Sequence, residues 1–342
     1  MRNKIFISTL LIITIVVTIS IAGCTQNLPN EMDKKKAENA GENELKKERP
    51  NALVIASGNT AGTYYYIASG QAKILSEKIE GLTVNNEATN GTVNYDYASQ
   101  SIDTIGMGGL EQFVSAIGGV EERGYPVALD NIKLIQSGHK FILYGVALAD
   151  SGIETFFDLN GKKIGRPSLT GSSTPLIDAI YEAYGIDTKT LKETPGTHTE
   201  NLDALRDGVI DFAFVAGGVP MAGITDLVTS KNINLLSIDK EIVEPIIEKA
   251  GYFDIKTIEP GTYNKQTEPV NLLTVDVVIA ANENLDDELV YEITKALNEN
   301  TDELALVHKD GAEWNLENSL KLYKKNIVPF HTGAARYYDE FK

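Results

Sequence analysis

Residues 52 to 66 read Ala-Leu-Val-Ile-Ala-Ser-Gly-Asn-Thr-Ala-Gly-Thr-Tyr-Tyr-Tyr. The apolar run at 53–55 predicts a strand, and apolar residues recur at helical spacing from position 68 onward. Between them lies a segment of glycine and small polar residues, the composition of a loop that joins a strand to a helix. This strand-loop-helix unit predicts an α/β fold with a parallel sheet.

The same pattern continues along the chain. It predicts strands at 82–86, 104–108 and 210–216, and helices at 110–117 and from about Pro220. Two longer extended segments, at 141–149 and 272–281, are placed so that the chain leaves one lobe and returns to it. We expect two crossover strands that link two lobes. The alternative is that both are ordinary core strands of one large sheet.

Composition excludes several classes of protein. The chain has 342 residues, 42% of them hydrophobic, which is enough to bury a substantial core. Its 31 basic and 48 acidic residues give a net charge of −17, so nucleic acid is not an expected partner. A single cysteine, Cys24, excludes an internal disulfide and a site built from several thiolates.

The N-terminus has the organisation of a lipoprotein signal. Arg2 and Lys4 precede an apolar run at 5–21, which ends in Ile-Ala-Gly-Cys at 21–24. We therefore predict a signal peptide at 1–23, lipid attachment at Cys24 and an extracytoplasmic body anchored to the cell membrane. The alternative is an uncleaved anchor helix.

Residues 24–50 are rich in Asn, Glu and Lys and predict a flexible tether between the anchor and the body. The alternative for this segment is an exposed charged helix at 31–47.

Five loops rich in Gly, Ser, Thr and Asn precede predicted helices, at 57–63, 89–92, 106–109, 168–175 and 217–220. Helix N-termini stabilise anions, and in open α/β folds they gather at the carboxyl ends of the strands. Any one loop has the composition of an ordinary capped turn, but their number favours a shared anion-binding cleft. The candidate ligand-binding residues are Asn59, Thr60, Ala61, Gly62, Tyr64, Tyr65, Asn90, Gly91, Thr92, Gly108, Gly109, Ser172, Ser173, Thr174, Gly217 and Gly218.

Arg166 precedes the fourth loop and is a candidate to clamp a second carboxylate of the ligand through two parallel hydrogen bonds. The alternative is a surface arginine before Pro167.

Catalytic motifs are absent from the sequence. There is no phosphate-binding loop, no nucleophile elbow and no zinc-protease motif, and Glu111 stands where a dinucleotide-binding fingerprint needs glycine. The four histidines are scattered along the chain. We expect no enzymatic activity, no cofactor and no metal site. An extracytoplasmic hydrolase would have to use Ser172 or Ser173 as its nucleophile.

The order and spacing of seven short blocks resemble the solute-binding subunits of TRAP transporters of the TAXI type, over 52–340. The blocks are Ile55–Tyr65, Thr89–Asn94, 151–162, 171–174, 208–211, 218–220 and 331–334. Two departures concern the second lobe: Ser173 stands where that family usually has glycine, and the stretch at 165–170 is longer and carries Arg166.

The resemblance implies a two-lobe periplasmic-binding-protein type II fold, with lobe 1 at 51–143 and 270–342 and lobe 2 at 144–269. It also implies a receptor that closes over a small carboxylate, such as glutamate, glutamine or a related dicarboxylate, and delivers it to a TRAP permease in the membrane. The same lobes serve ABC importers and membrane sensors, which are the alternative.

Overall fold

The computed structural model describes Lys47 and residues 49–60, 62–89, 91, 93–167 and 171–342. The predicted signal peptide, Cys24 and all but the end of the predicted tether lie outside these residues. Among the residues described, no helix is both long enough and apolar enough to cross a membrane.

The first part of the body alternates strands and helices as predicted. Its elements are β1 (Ala52–Ala56), α1 (Thr63–Lys78), β2 (Thr83–Glu87), α2 (Asn94–Gln100), β3 (Thr104–Gly109), α3 (Leu110–Gly118) and the long strand β4 (Ile132–Leu148). Strand β3 is buried along its whole length, because it lies inside the sheet with helices on both faces.

The middle of the chain repeats this organisation. Its elements are β5 (Lys163–Arg166), α4 (Ser173–Ala183), β6 (Lys192–Pro195), α5 (His198–Arg206), β7 (Phe212–Gly217), α6 (Ala222–Ser230), β8 (Ile233–Leu235), α7 (Lys240–Ala250) and β9 (Phe253–Ile258). The chain returns through the second long strand, β10 (Val270–Asn282), and ends in α8 (Asp287–Glu299), α9 (Thr301–Val307), α10 (Leu316–Lys325) and α11 (Thr332–Asp339).

The strands form one sheet in the order β2-β1-β3-β10-β4-β7-β5-β6, with β8 paired to β4 and β9 paired to β10. The long strands belong to both halves of this sheet. Along β4, the partner changes from β10 to β7 at Ile142. Along β10, residues before Asp276 pair with β9 and residues after it pair with β3. The chain therefore passes from one half to the other through two adjacent strands.

The direction of the strands brings the two sets of loops together. Strand β3 runs antiparallel to β10 and ends at Gly109, opposite Val277. Strand β7 runs antiparallel to β4 and ends at Gly217, opposite Ile142. Because β1 and β2 are parallel to β3, and β5 and β6 are parallel to β7, the carboxyl ends of both sets point at the junction between the halves.

Three clusters of buried apolar side chains stabilise the body. The largest includes Phe113 of α3, Ile177 of α4 and Val275 of β10, so it extends across both halves on one face of the sheet. A second cluster packs α1 and α8 on the opposite face of the first half, and a third packs α5 and α6 on the second half. Burial of apolar surface, about 25 cal/mol for each Å², is the main contribution to stability.

The predicted α/β architecture is confirmed, and both extended segments are the long strands. The division at 143/144 and 269/270 stays a proposal, although the change of partner at Ile142 lies close to the first boundary. At the end of the predicted tether, Lys47 pairs with Asp287 at 2.8 Å and Arg49 pairs with Glu292 at 2.7 Å. These residues dock on the acidic first turns of α8, which the composition of the tether did not indicate.

Candidate functional site

A buried asparagine holds three loops together at the junction. The Nδ2 group of Asn94 donates to the carbonyl oxygens of Ser57 and Met107, and its Oδ1 accepts from the Thr89 hydroxyl at 2.6 Å. Asn94 is fully buried, so these hydrogen bonds are shielded from water. They set the loop after β1 and the loop after β2 against the end of β3.

Tyr64 lies in the first turn of α1, beside this network. Its ring meets His139 edge-on, with centroids 5.8 Å apart, and also packs near Phe141 of β4. The hydroxyl is buried and has no hydrogen bond of good geometry to a described residue. Its pKa is raised well above the usual range by burial and by the nearby Glu111 carboxylate, while the Ser172 hydroxyl opposes the shift.

The neighbouring His139 is a neutral acceptor. Its Nδ1 accepts a hydrogen bond of 2.9 Å from the indole nitrogen of Trp314. Burial lowers the pKa of His139 to about 3, so the imidazole does not carry a charge near neutral pH. It supports the Tyr64 ring rather than supplying a cation to the junction.

Glu111 is the second residue of α3, and its carboxylate folds back over Gly109. A Cβ atom at Gly109 would overlap this carboxylate, so a larger residue there would push the Glu111 side chain out of its position. Burial raises the pKa of Glu111 to about 8, while the amides of Glu111 and Gln112 and the Ser172 hydroxyl pull it down. Neither carboxylate oxygen has a hydrogen bond of good geometry to a described residue.

Ser172 comes from the other half of the molecule and caps the start of α4. Its hydroxyl interacts with both Tyr64 and Glu111, so the N-termini of α1, α3 and α4 meet at one place. A cavity of about 10 Å³ remains there, lined by side chains that include Gln112, Tyr125 and Ser172. That volume is enough for about one water molecule. At this place the first turns of α3 and α4 are in contact.

An ion pair spans the halves beside this cavity. Arg123 follows α3, and its Nη2 atom lies 2.6 Å from Oδ2 of Asp178 on α4. A groove of about 390 Å³ lies on the same side and shares Ser115, Arg123 and Pro175 with the small cavity. Arg123 therefore lines both the groove and the small cavity, and Asp178 lines the groove.

Arg166 already has a partner within the protein. Its Nη1 atom donates to both carboxylate oxygens of Glu193, at 3.1 and 3.2 Å, and Glu193 also accepts from the Tyr181 hydroxyl. Strands β5 and β6 are paired, which brings Arg166 and Glu193 together. Nε and Nη2 of Arg166 are buried without a hydrogen bond to a described residue. A clamp on a ligand would have to use these two nitrogens.

The loop at 217–220 lies against the carboxylate of Asp310 rather than that of Glu111. The Gly218 carbonyl accepts from the Tyr144 hydroxyl at 2.8 Å, and a Cβ atom at Gly218 would meet the Asp310 carboxylate at 2.8 Å. Burial raises the pKa of Asp310, and its Oδ2 has no hydrogen bond to a described residue. Gly217 and Gly218 therefore lie at the junction, against the segment that precedes α10.

The remaining candidate residues differ in burial and in their contacts. Ser173 and Thr174 are buried in the first turn of α4, Gly62 caps α1, and the Gly91 carbonyl accepts from Gln112. Tyr65 packs against Tyr66, while Asn59 and Thr60 are exposed. Gly108 is covered by Tyr95 and Gln112. Ala61, Asn90 and Thr92 lie outside the described residues.

The sequence did not predict Glu111, Arg123 or Asp178 as residues of the candidate site. One signal for Glu111 was present: it is a lone acid that follows Leu110 after a run of apolar residues and glycines at 105–109. Within the part of the chain that the structure describes, no group of three or more His, Cys, Asp or Glu side chains is arranged to hold a metal ion. The cluster offers helix amides, hydroxyls and one carboxyl group, which suit a small polar solute.

Comparison with known proteins identifies the fold and the family of this chain. The periplasmic aliphatic sulphonate binding protein SsuA from Escherichia coli is similar in structure, with a TM-score of 0.50, 14% identity, and coverage of 86% of this chain and 84% of that chain. A binding protein component of an ABC phosphonate transporter from Pseudomonas aeruginosa gives a TM-score of 0.48 at 15% identity, with coverage of 86% and 96%. The likeness to the sulphonate-binding protein shows the periplasmic-binding-protein fold. Residues 55–341 match the NMT1-like family, and the chain belongs to that family.

Proposed function

We propose that this protein is the extracytoplasmic solute-binding component of a membrane transporter and has no catalytic activity of its own. The observation that carries the proposal is the meeting of the N-termini of α1, α3 and α4, from both halves, around Tyr64, Glu111 and Ser172. A ligand that contacts both halves only when they are closed shifts the population from open to closed. The family and the fold support this function.

We propose a small solute with an anionic group as the ligand. Each exposed helix N-terminus contributes about 0.3–1 kcal/mol to anion binding, and up to about 2 kcal/mol when partly buried. The amides of Glu111 and Gln112 at the start of α3 already face the Glu111 carboxylate, so the N-termini of α1 and α4 are the ends that can contribute to the roughly 8 kcal/mol that micromolar affinity needs. Carboxylates are the class that the sequence favours, and the sulphonate and phosphonate binding proteins of the same fold extend the panel to those anions.

Calorimetry on the full chain in detergent micelles tests this function. The panel contains amino acids, dicarboxylates, alkanesulfonates and alkylphosphonates. We expect saturable binding of at least one compound at micromolar concentration and a decrease in radius of gyration by small-angle scattering. If no compound binds saturably, the proposed function is wrong for these solute classes.

An ABC importer is the first candidate for the transporter partner, because one of the similar proteins named above is a component of an ABC phosphonate transporter. A TRAP permease of the TAXI type is the second candidate and rests on the seven sequence blocks. Uptake of the identified solute into cells separates them: vanadate stops ATP-driven import, whereas an ionophore stops import driven by an ion gradient. A membrane sensor predicts no uptake at all.

We also propose that Cys24 anchors the receptor to the membrane through lipid. The lipobox-like ending at 21–24 supports this. We expect the wild-type chain in the membrane fraction, labelled by a fatty-acid analogue, and the Cys24→Ser chain unlabelled. Labelling that survives the substitution would contradict the proposal.

The hydrolase alternative has less support. A serine nucleophile needs an adjacent base, usually a histidine. The side chains that interact with Ser172 in the described structure are the Tyr64 phenol and the Glu111 carboxyl group. These groups fit ligand binding better than nucleophilic catalysis.

A further inference from the structure

Strand β10 changes its partner at a single residue. Val275 is the last residue of β10 that pairs with β9, and Val277 is the first that pairs with β3. Asp276 lies between them and is opposite Lys140 of β4. The register of β10 against β4 shifts directly after Asp276. Such a shift disrupts the ladder and bends the strand, so a change of angle between the halves is most easily absorbed here.

Lys140 is a largely buried cation at this place. Its ammonium group donates to the Asp276 carboxylate and, at 3.1 Å, to Asp254 of β9, and its side chain is 20% exposed. Burial opposes the charge, but the two carboxylates outweigh burial and raise the pKa of Lys140. Lys140 therefore stays charged and links β4, β9 and β10 where β10 changes partner.

Two outer ion pairs flank Lys140 and join β9 to the C-terminal part of the chain. Lys321 of α10 lies 3.5 Å from the Asp254 carboxylate, and Lys256 of β9 lies 3.6 Å from the Glu313 carboxylate, just before α10. Glu313 also accepts a hydrogen bond from the backbone N–H of Lys140. These side chains form the hinge cluster, which consists of Lys140, Asp254, Lys256, Asp276, Glu313 and Lys321.

The two outer pairs connect the halves. Ile258, at the end of β9, packs in the apolar cluster of the second half that includes α5 and α6. Leu316 and Leu320 of α10 pack against the apolar cluster of the first half, with α1 and α8. Each outer pair therefore binds a charge of one half to a charge of the other.

We propose that the hinge cluster sets the angle between the two halves. Lys140 and Asp276 form the pivot, because both lie on the crossover strands and stay together when the halves turn. The two outer pairs form a latch that holds the halves in the arrangement seen here, and salt weakens this latch. The inference rests on the proposed receptor function, in which the halves move to enclose the solute.

Exposure distinguishes the latch from the pivot. The side chains of Lys321 and Lys256 are 62% and 44% exposed, whereas those of Lys140 and Asp276 are 20% and 18% exposed. Exposed ion pairs are individually weak, and salt screens them as the Debye length falls from about 10 Å at 0.1 M to about 3 Å at 1 M. Pairs that are largely buried are screened much less. Salt should therefore act on the latch and leave the pivot intact.

Energy transfer between two dyes measures the angle in the ligand-free full chain in detergent micelles. Tyr97 in the first half and Val209 in the second half are 42% and 61% exposed. Tyr97→Cys and Val209→Cys in a Cys24→Ser chain therefore offer two accessible thiols and no other. We expect the ratio of molecules at other distances to molecules at the main low-salt distance to rise at least twofold between about 0.1 M and about 1 M salt.

Variants of the labelled chain assign the effect to the latch. Lys256→Met combined with Lys321→Met should raise the same ratio at least twofold at low salt and remove most of its response to salt. Lys324→Met is the matched control: it removes an exposed cation of α10 that forms no ion pair with a described residue, and it should behave as the wild type. Salt also screens the Arg123–Asp178 pair, so these variants are decisive rather than salt alone.

The pivot has its own variant. Lys140→Met should broaden the distribution of distances at low salt, because no ion pair then fixes β4 against β10. An unchanged width would show that the pivot lies elsewhere. The latch variants keep the inference testable if Lys140→Met does not fold.

The outcomes separate this inference from the receptor function. If the double latch variant gives the same ratio as Lys324→Met, the inference is wrong, whether or not a solute binds. If the double variant changes the ratio but calorimetry finds no saturable binding to any solute of the panel, the hinge cluster stands and the receptor function is wrong for these solute classes.

Discussion

Among single side chains, Tyr64 and Tyr66 show how neighbours in sequence acquire different roles. Tyr64 buries its hydroxyl at the junction between the halves, whereas Tyr66 is 47% exposed and stacks on His308. Residues two positions apart on a helix point about 200° apart, so these two side chains lie on nearly opposite faces of α1. Of these two phenols, only that of Tyr64 is placed to meet a ligand at the cluster.

We therefore predict that Tyr64→Phe weakens ligand binding and Tyr66→Phe does not. The loss should be about 1–3 kcal/mol, the typical cost of removing one buried hydrogen-bond partner. Calorimetry with the solute identified from the panel measures both variants. Equal affinity of Tyr64→Phe and the wild type would place the ligand elsewhere.

Glu111 makes the stability of the free protein depend on pH. Its folded pKa of about 8 lies above the ordinary value of 4.5, so the folded chain holds a proton that the unfolded chain loses between these values. The stabilisation is complete below pH 4.5 and is lost as the pH rises through 8. Ionised Glu111 then costs on the order of 4 kcal/mol relative to a neutral residue.

Glu111→Gln should therefore become more stable than the wild type as the pH rises from 4.5 to 8.5. Urea denaturation of the ligand-free chain at several pH values measures the difference in free energy of unfolding. Glu317→Gln, whose carboxylate is exposed, should show almost no change over the same range. A difference for Glu111→Gln that does not vary with pH would show that the carboxylate is not desolvated.

Between elements, Asn94 is the main polar connection. It begins α2 and bonds to the loop after β1, to the loop after β2 through Thr89, and to the end of β3. Backbone carbonyls at the ends of strands need donors, and here one side chain supplies two of them. The Asn94 amide thus adds to the backbone hydrogen bonds that join the loop after β1 to the loop after β2.

We predict that Asn94→Ala lowers the free energy of unfolding by about 3 kcal/mol or more, because it leaves several buried polar groups without partners. Chemical denaturation measures the loss, and Asn264→Ala, at an exposed position, is the control. A loss below about 1 kcal/mol for Asn94→Ala would mean that water replaces its hydrogen bonds.

In the molecule as a whole, the two halves are joined by the long strands and are in contact on one face through apolar packing and the Arg123–Asp178 pair. The side chain of Asp178 is 45% exposed and that of Arg123 is 25% exposed. An ion pair with this exposure contributes about 0.2–1 kcal/mol. The Arg123–Asp178 pair therefore contributes only a small part of the free energy that holds the two halves together.

Arg123→Met should therefore weaken ligand binding no more than about fivefold, mainly through faster dissociation, because the pair joins the two halves. Stopped-flow measurement of both rate constants checks this. Arg206→Met breaks an ion pair with Asp226 that lies within the second half and outside this groove, and it should leave both rates unchanged. A slower association with unchanged dissociation for Arg123→Met would contradict this role.

Local pattern was enough to predict much of this protein. Alternating apolar runs and helical periodicity predicted β1, β3, α3 and the two long strands, because these patterns reflect which face of each element is buried. The loops after the strands and the first turn of α1 were recognised from turn and capping residues. Such features depend on neighbours in the chain.

Contacts between distant residues followed from the folded arrangement alone. Arg166 acquires Glu193 through the pairing of β5 with β6, and Glu111 is buried because α4 from the other half covers it. Desolvation and ion pairing depend on everything packed around a group, and residues far apart in the chain supply most of that packing. The chain order thus predicts where polar groups gather, and folding alone sets which of them are already paired and which are left for a ligand.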